Sequence, residues 1–105
     1  MLSGLRIEEL LIGDGAVAGR GTRVTVRYNG YLNRGKPFQT EMVTTFAVGE
    51  RNTIAGLSRG VEGMRVGGRR RLRVGPHLAY REKGVPGLIP PNAKLVFEVE
   101  LLTVG

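Results

Sequence analysis

Residues 22–39 read TRVTVRYNGYLNRGKPFQ, and this stretch decides the architecture. Val24, Val26 and Tyr28 alternate with Thr25, Arg27 and Asn29. Successive side chains of a strand point to opposite faces, so one face here is apolar and the other polar, as expected of a half-buried strand from Thr22 to Leu32. Asn33-Arg34-Gly35-Lys36 reads as a turn, after which Phe38 opens a short extended piece and Met42 to Val48 continue toward Gly49.

Beyond this pair, Ile54 to Met64 holds the best helical pattern, with Ile54, Leu57, Val61 and Met64 at spacings of three, four and three. Thr53 is a candidate N-cap, and Gly67-Gly68 is expected to end the helix. Gly56, Gly60 and Gly63 make it weak on its own, so it should form only when packed against a sheet. Arg69 to Val74 reads as the next strand, with Arg70, Leu72 and Val74 on one side and Arg69, Arg71 and Arg73 on the other. The Gly- and Pro-rich run Gly75 to Pro91 is expected to be an irregular loop of 17 residues, a length that usually signals function. Lys94 to Val104 is the last strand, with Leu95, Phe97, Val99 and Leu101 inward and Glu98 and Glu100 toward water. At the other end, Leu5 and Ile7 suggest a strand whereas Glu8-Glu9-Leu10-Leu11 suggests a helical turn; a strand ending at Gly13-Asp14-Gly15 is the favoured reading. The sum is an α+β fold, several antiparallel strands with one short helix packed across them, in a single domain spanning residues 1–105.

Composition narrows the chemistry. Glycine and proline together supply 22 of 105 residues, which argues against a helical bundle. There is no cysteine, so disulfides and cysteine-ligated metal sites are excluded, and the single histidine, His77, argues against a histidine metal site or a Ser-His-Asp triad. No stretch approaches the about 20 apolar residues that cross a bilayer, and two glutamates interrupt the start of the chain where a secretion signal needs its apolar core. A cytoplasmic protein that does not engage membranes is the expectation. The net charge is +7, and 13 of the 16 basic residues are arginine, a codon bias that points to a GC-rich bacterial genome.

Three segments carry a resemblance: VTVRYNGYLNRGKPFQ at 24–39, VGERNTIAGLSRGVEGMRVGGRRRL at 48–72 and AYREKGVPGLIPPNAKLVFEVELL at 79–102. In order, spacing and chemistry they resemble the FKBP-type peptidyl-prolyl isomerases, most specifically in Gly87-Leu88-Ile89-Pro90-Pro91-Asn92-Ala93 followed by Leu95-Val96-Phe97. The resemblance implies a twisted antiparallel sheet wrapped around a short helix, with an apolar pocket between them. It also implies cis/trans isomerisation of X–Pro bonds without any cofactor or metal. Proline-containing peptide segments or unfolded proteins would be the partners, and macrolides such as tacrolimus or rapamycin would bind the same pocket. By correspondence with the family, Tyr28, Gln39 and Tyr80 are the catalytic candidates, Tyr80 through a hydroxyl that donates to the substrate carbonyl. Phe38, Ile54, Leu57, Leu88, Ile89 and Phe97 are the substrate-binding candidates, Ile54 through its backbone N–H, Leu57 as pocket floor, and Leu88 and Ile89 on the overhanging loop.

The chain departs from the family pattern in three places. Gln39 stands where an aspartate is usual, which removes a negative charge near the twisting carbonyl but keeps a weaker hydrogen-bond acceptor for Tyr28. Leu57 replaces a tryptophan, burying less area and losing an N–H. The segment Thr40 to Thr45 is short, with Thr44 near a wall position that is normally aromatic, and a pairing arginine is missing. Lowered activity is the expectation from these changes.

The plainer readings stand beside these. Tyr28, Phe38 and Phe97 are ordinary core residues by periodicity alone, and His77 is a surface or turn residue. The cluster Arg65 to Arg73 permits a basic nucleic-acid-binding stripe, but Tyr31 is the one spare aromatic and Glu98 and Glu100 are placed to pair with those arginines. A solvated, partly paired face is weighed above a nucleic-acid site. A non-catalytic proline-peptide-binding or chaperone-like module is the alternative to the isomerase. A monomer is the default for this size.

Overall fold

Residues 4–33, 35–49, 55–79 and 83–105 are described in the structure, a computed structural model. Among the described residues, five strands, β1 (Leu5–Leu11), β2 (Arg23–Leu32), β3 (Pro37–Ala47), β4 (Arg69–Val74) and β5 (Leu95–Val104), form one antiparallel sheet in the order β1-β4-β5-β2-β3. The helix α1 (Ala55–Gly60) lies against its inner face.

Alternation decides which residues enter the core. Val24, Val26 and Tyr28 of β2, Leu72 and Val74 of β4, and Leu95, Phe97, Val99 and Leu101 of β5 are all buried and join Leu57, Val61 and Met64 in a single cluster. The two extended pieces expected at Phe38 and Met42–Val48 are one strand. It runs past an irregular register near Gly30 and past Glu41, whose positive φ of 51° is held by its N–H donating to Asn29 Oδ1 at 2.8 Å. The N-terminal ambiguity resolves as strand β1, an edge strand whose side chains are mostly exposed.

The helix is shorter than its apolar spacing implies. Leu57, Val61 and Met64 are all buried, but α1 ends at Gly60 rather than reaching Gly67-Gly68. Arg70 gives the physical reason. Its side chain rises from β4 and donates to the carbonyls of Gly60 at 2.9 Å and Glu62 at 2.8 Å, while Gly63 N–H donates to Ala18 at 2.8 Å. The end of the helix is thereby satisfied by a guanidinium and the chain is drawn toward the 18–22 segment. Arg70 also pairs with both carboxylate oxygens of Glu9 on β1, at 2.7 and 3.1 Å, so one side chain ties helix, β4 and the edge strand together. The helix sits close because Gly60 has no side chain: a Cβ there would collide with Leu72. Thr53, the candidate N-cap, lies outside the described residues.

The segment Gly75–Pro91 contains more order than its composition suggested. Pro76–Leu78 form a 3₁₀ turn, and Val85 and Ile89 exchange two backbone hydrogen bonds of 2.8 Å in an isolated bridge. No helix among the described residues is long and apolar enough to cross a membrane.

Candidate functional site

Three aromatic rings meet where β2, β3 and β5 run side by side. Phe97 on β5 faces inward, opposite Gly30 on β2 and Leu72 on β4. Tyr28 lies two residues before Gly30 on the same inner face, and its ring meets Phe97 edge-on, centroids 5.6 Å apart at 73°. Phe38 comes from the far side of β2 and also presents an edge, at 5.9 Å and 79°. Both spacings fall in the range that the ring quadrupoles favour.

Gly30 makes the second contact attainable. A Cβ built there would stand 2.6 Å from Phe38 Cζ, well inside van der Waals contact. Without a side chain, Gly30 leaves a notch in β2 through which the ring of Phe38 reaches Phe97. The sequence shows Gly30 inside a strand pattern, where a glycine marks a close approach, but nothing in the sequence identifies the ring that fills the notch.

The polar edge of this corner is neutral. Tyr28 Oη donates to Gln39 Oε1 at 3.2 Å, the bond that the sequence reading left open to an amide in place of a carboxylate. Gln39 lies across from Gly30 in the β2–β3 register, next to Phe38, so Phe38 and Gln39 stand on successive positions at the rim. Both are half-buried, whereas Tyr28 is 8% exposed and Phe97 and Leu57 are fully covered. Leu57 enters from α1, and Ile89 enters the core cluster from the Val85–Ile89 bridge, 3% exposed. Leu88, one residue earlier, stays outside at 47%. The bridge thus splits the apolar pair, sending Ile89 inward and leaving Leu88 on the rim.

The structure therefore brings Tyr28, Phe38, Gln39 and Phe97 into one corner, and Leu57 and Ile89 into the cluster behind it. Ile54 and Tyr80 lie outside the described residues. Thr44 is half-buried on β3, and Phe46, two positions on, is buried in the core at 1%. Among the described residues no group of three or more His, Asp or Glu could hold a metal ion. Away from the corner, the Arg70 hydrogen bonds hold the Glu9 carboxyl below its ordinary range, and those of Glu98 and then Glu8 hold Arg71 more firmly protonated.

Comparison with known proteins places this geometry. Residues 15–102 match the family described as FKBP-type peptidyl-prolyl cis-trans isomerase. The chain is 46% identical over 103 residues to FK506-binding protein 4 of Dictyostelium discoideum, covering 96% of this chain and 28% of that one. It is 41% identical over 105 residues to a 46 kDa FK506-binding nuclear protein of Spodoptera frugiperda, covering 96% and 26%. The chain thus spans about a quarter of the length of these curated relatives. Among solved structures, it superposes on AtFKBP13 with a TM-score of 0.88 at 31% identity, over 98% of this chain and 94% of that one. On a peptidyl-prolyl cis-trans isomerase of Pseudomonas syringae the TM-score is 0.83 at 34% identity, over 96% and 75%.

Proposed function

This chain belongs to the FKBP-type peptidyl-prolyl cis-trans isomerases, and we propose that it is itself an isomerase, of weakened activity, acting on X–Pro bonds of unfolded or partly folded proteins. The observation that carries this reading is the aromatic corner: Tyr28 and Phe38 set edge-on against Phe97, with the Tyr28 hydroxyl fixed by Gln39.

The chemistry asks for little more. Rotation about a peptide bond is opposed by a barrier of about 18–20 kcal/mol, because resonance gives the bond double-bond character. Proline reduces the preference for trans but leaves interconversion slow. In the twisted transition state resonance is lost and charge separation falls. A dry, uncharged corner disfavours the planar, polar amide more than the twisted one, so part of the barrier is removed by exclusion of water. No nucleophile and no metal enter this scheme. Phe38, at the rim, is placed to take a prolyl ring. The Tyr28–Gln39 pair supplies a polar edge beside it.

Gln39 and Leu57 set the expected level of activity. An amide oxygen accepts more weakly than a carboxylate, and leucine gives a smaller floor than an indole. Leu57 and Phe97 are fully covered, so they back the corner, and contact with a peptide falls to the half-buried Phe38 and Gln39; a module that grips proline-containing segments there without turning them over is the second reading. Acceleration of a proline-limited refolding reaction at micromolar protein separates the two: a rate increase supports the isomerase, and an unchanged rate leaves binding alone. A Gln39→Asp, Leu57→Trp double variant is expected to gain activity.

Macrolides such as tacrolimus or rapamycin belong to the same proposal as occupants of the corner, supported by the FK506-binding relatives; loss of the refolding effect on their addition is the check. A cytoplasmic setting in a bacterium is likewise part of it, supported by the 13 arginines against three lysines and tested by cell fractionation. A monomer is expected, with sedimentation as the measurement.

A further inference from the structure

The outer face of the sheet is organised in rows that run across the strands, and in two of the three charged rows arginine and glutamate alternate. In the row Glu8–Arg71–Glu98, the arginine bonds both neighbours, at 3.1 Å to Glu8 and 3.0 Å to Glu98. In the row Arg69–Glu100–Arg27, Glu100 receives Arg27 at 3.4 Å, and Arg27 also approaches Glu41 at 3.8 Å. The remaining row is Arg6–Arg73–Val96–Tyr31. Here two exposed arginines stand directly opposite each other on β1 and β4, and among the described residues neither makes an ion pair. Like charges in direct cross-strand register destabilise a sheet, so this row breaks a rule the rest of the face obeys.

Arg6 and Arg73, with Ile7, Glu8 and Arg71, line a concavity of about 330 Å³. Its one carboxylate, Glu8, is already held by Arg71. Two strands from Arg73 on the same face is Tyr31, half-buried, at a spacing of about 10 Å from the interstrand distance. A pair of guanidiniums matches a phosphodiester, and a ring one nucleotide away matches a base.

We propose that this row is a docking surface for single-stranded nucleic acid, with Arg6 and Arg73 on a backbone phosphate and Tyr31 beneath a base. The surface lies on the opposite side of the sheet from the aromatic corner and stands apart from the isomerase reading. An acidic protein segment is the competing partner, and it would make no use of the ring.

Fluorescence anisotropy with a labelled 12-mer of deoxythymidine tests it, at low salt and with the full chain. Binding is expected at about 1–100 μM, weakening steeply with salt. The Arg6→Ala, Arg73→Ala double variant should lose at least about tenfold and lower the salt slope by about 1.4, the figure for two phosphate contacts on a single strand. Tyr31→Ala should lose about fivefold or more. Arg6→Glu places a carboxylate opposite Arg73, so it should raise the denaturation midpoint while abolishing binding, a divergence that misfolding cannot produce. Absent binding, binding indifferent to these variants, or polyglutamate competing as well as the oligonucleotide would each overturn the proposal.

Discussion

Phe97 and Glu98 are neighbours in the chain and inhabit two different kinds of surface. Phe97 points inward, fully covered, and receives the edges of two rings; Glu98 points outward and shares Arg71 with Glu8 across three strands. The inner face is held by area removed from water and by close packing of the buried side chains. The outer face is held by pairs that water and salt screen, which contribute little to stability but decide the sign of each patch. Arg70 belongs to both. It starts on the inner side, at 8% exposure, and spends its charge on a helix end and an edge strand.

The contrast is broken most severely at Phe97. Phe97→Ala empties the centre of the corner, and urea unfolding should register a loss of about 3–5 kcal/mol, the usual cost of deleting a buried ring. Arg70→Met should follow, at about 2–3 kcal/mol, because it strips hydrogen bonds to a charged group from two carbonyls and a carboxylate at once. Hydrogen exchange should then show α1 and β1 opening together, since that side chain joins them.

A smaller effect is expected from pH. The Arg70 hydrogen bonds lower the folded-state pKa of Glu9, so the carboxylate contributes stability above its unfolded pKa, near 4.5, and that contribution fades as pH falls through the lower folded value. Glu9→Gln should therefore be less stable than the parent at pH 7, and the gap should narrow by pH 3. The smallest effect belongs to Glu98→Ala, whose denaturation midpoint should scarcely move at 0.15 M salt, since its partner Arg71 is solvated and keeps Glu8.

How far the sequence carried the fold depends on which force was acting. Alternation is a local consequence of strand geometry, so β2, β4 and β5 and their inner faces were legible from Val24-Val26-Tyr28 and from Leu95-Phe97-Val99-Leu101. The helix was legible as an apolar spacing but not in its length, because its end is set by Arg70, a residue distant in sequence whose inward position looks like a misplaced charge until its acceptors are known. In the corner, Tyr28, Phe38, Gln39 and Phe97 were nominated from the resemblance. Their mutual geometry was not legible, because Phe38 meets Phe97 only through the notch at Gly30 and the β2–β3 register there is irregular. Of the basic row on the outer face, Arg73 was legible from the alternation of Arg69, Arg71 and Arg73, but its pairing with Arg6 was not; that depends on which strands are adjacent, and the order β1-β4-β5-β2-β3 follows from packing rather than from any one segment.

On the proposed function, the aromatic corner, and not the charged face behind it, turns over prolyl bonds. Two-dimensional NMR exchange on a short Ala-Pro peptide tests it most directly, comparing the parent chain with Phe38→Ala at the rim and Glu98→Ala outside. The expected result is a cis/trans exchange rate raised by the parent and by Glu98→Ala and returned close to the uncatalysed rate by Phe38→Ala. An exchange rate that no form of the protein changes, or one that Phe38→Ala leaves as high as the parent, would contradict it.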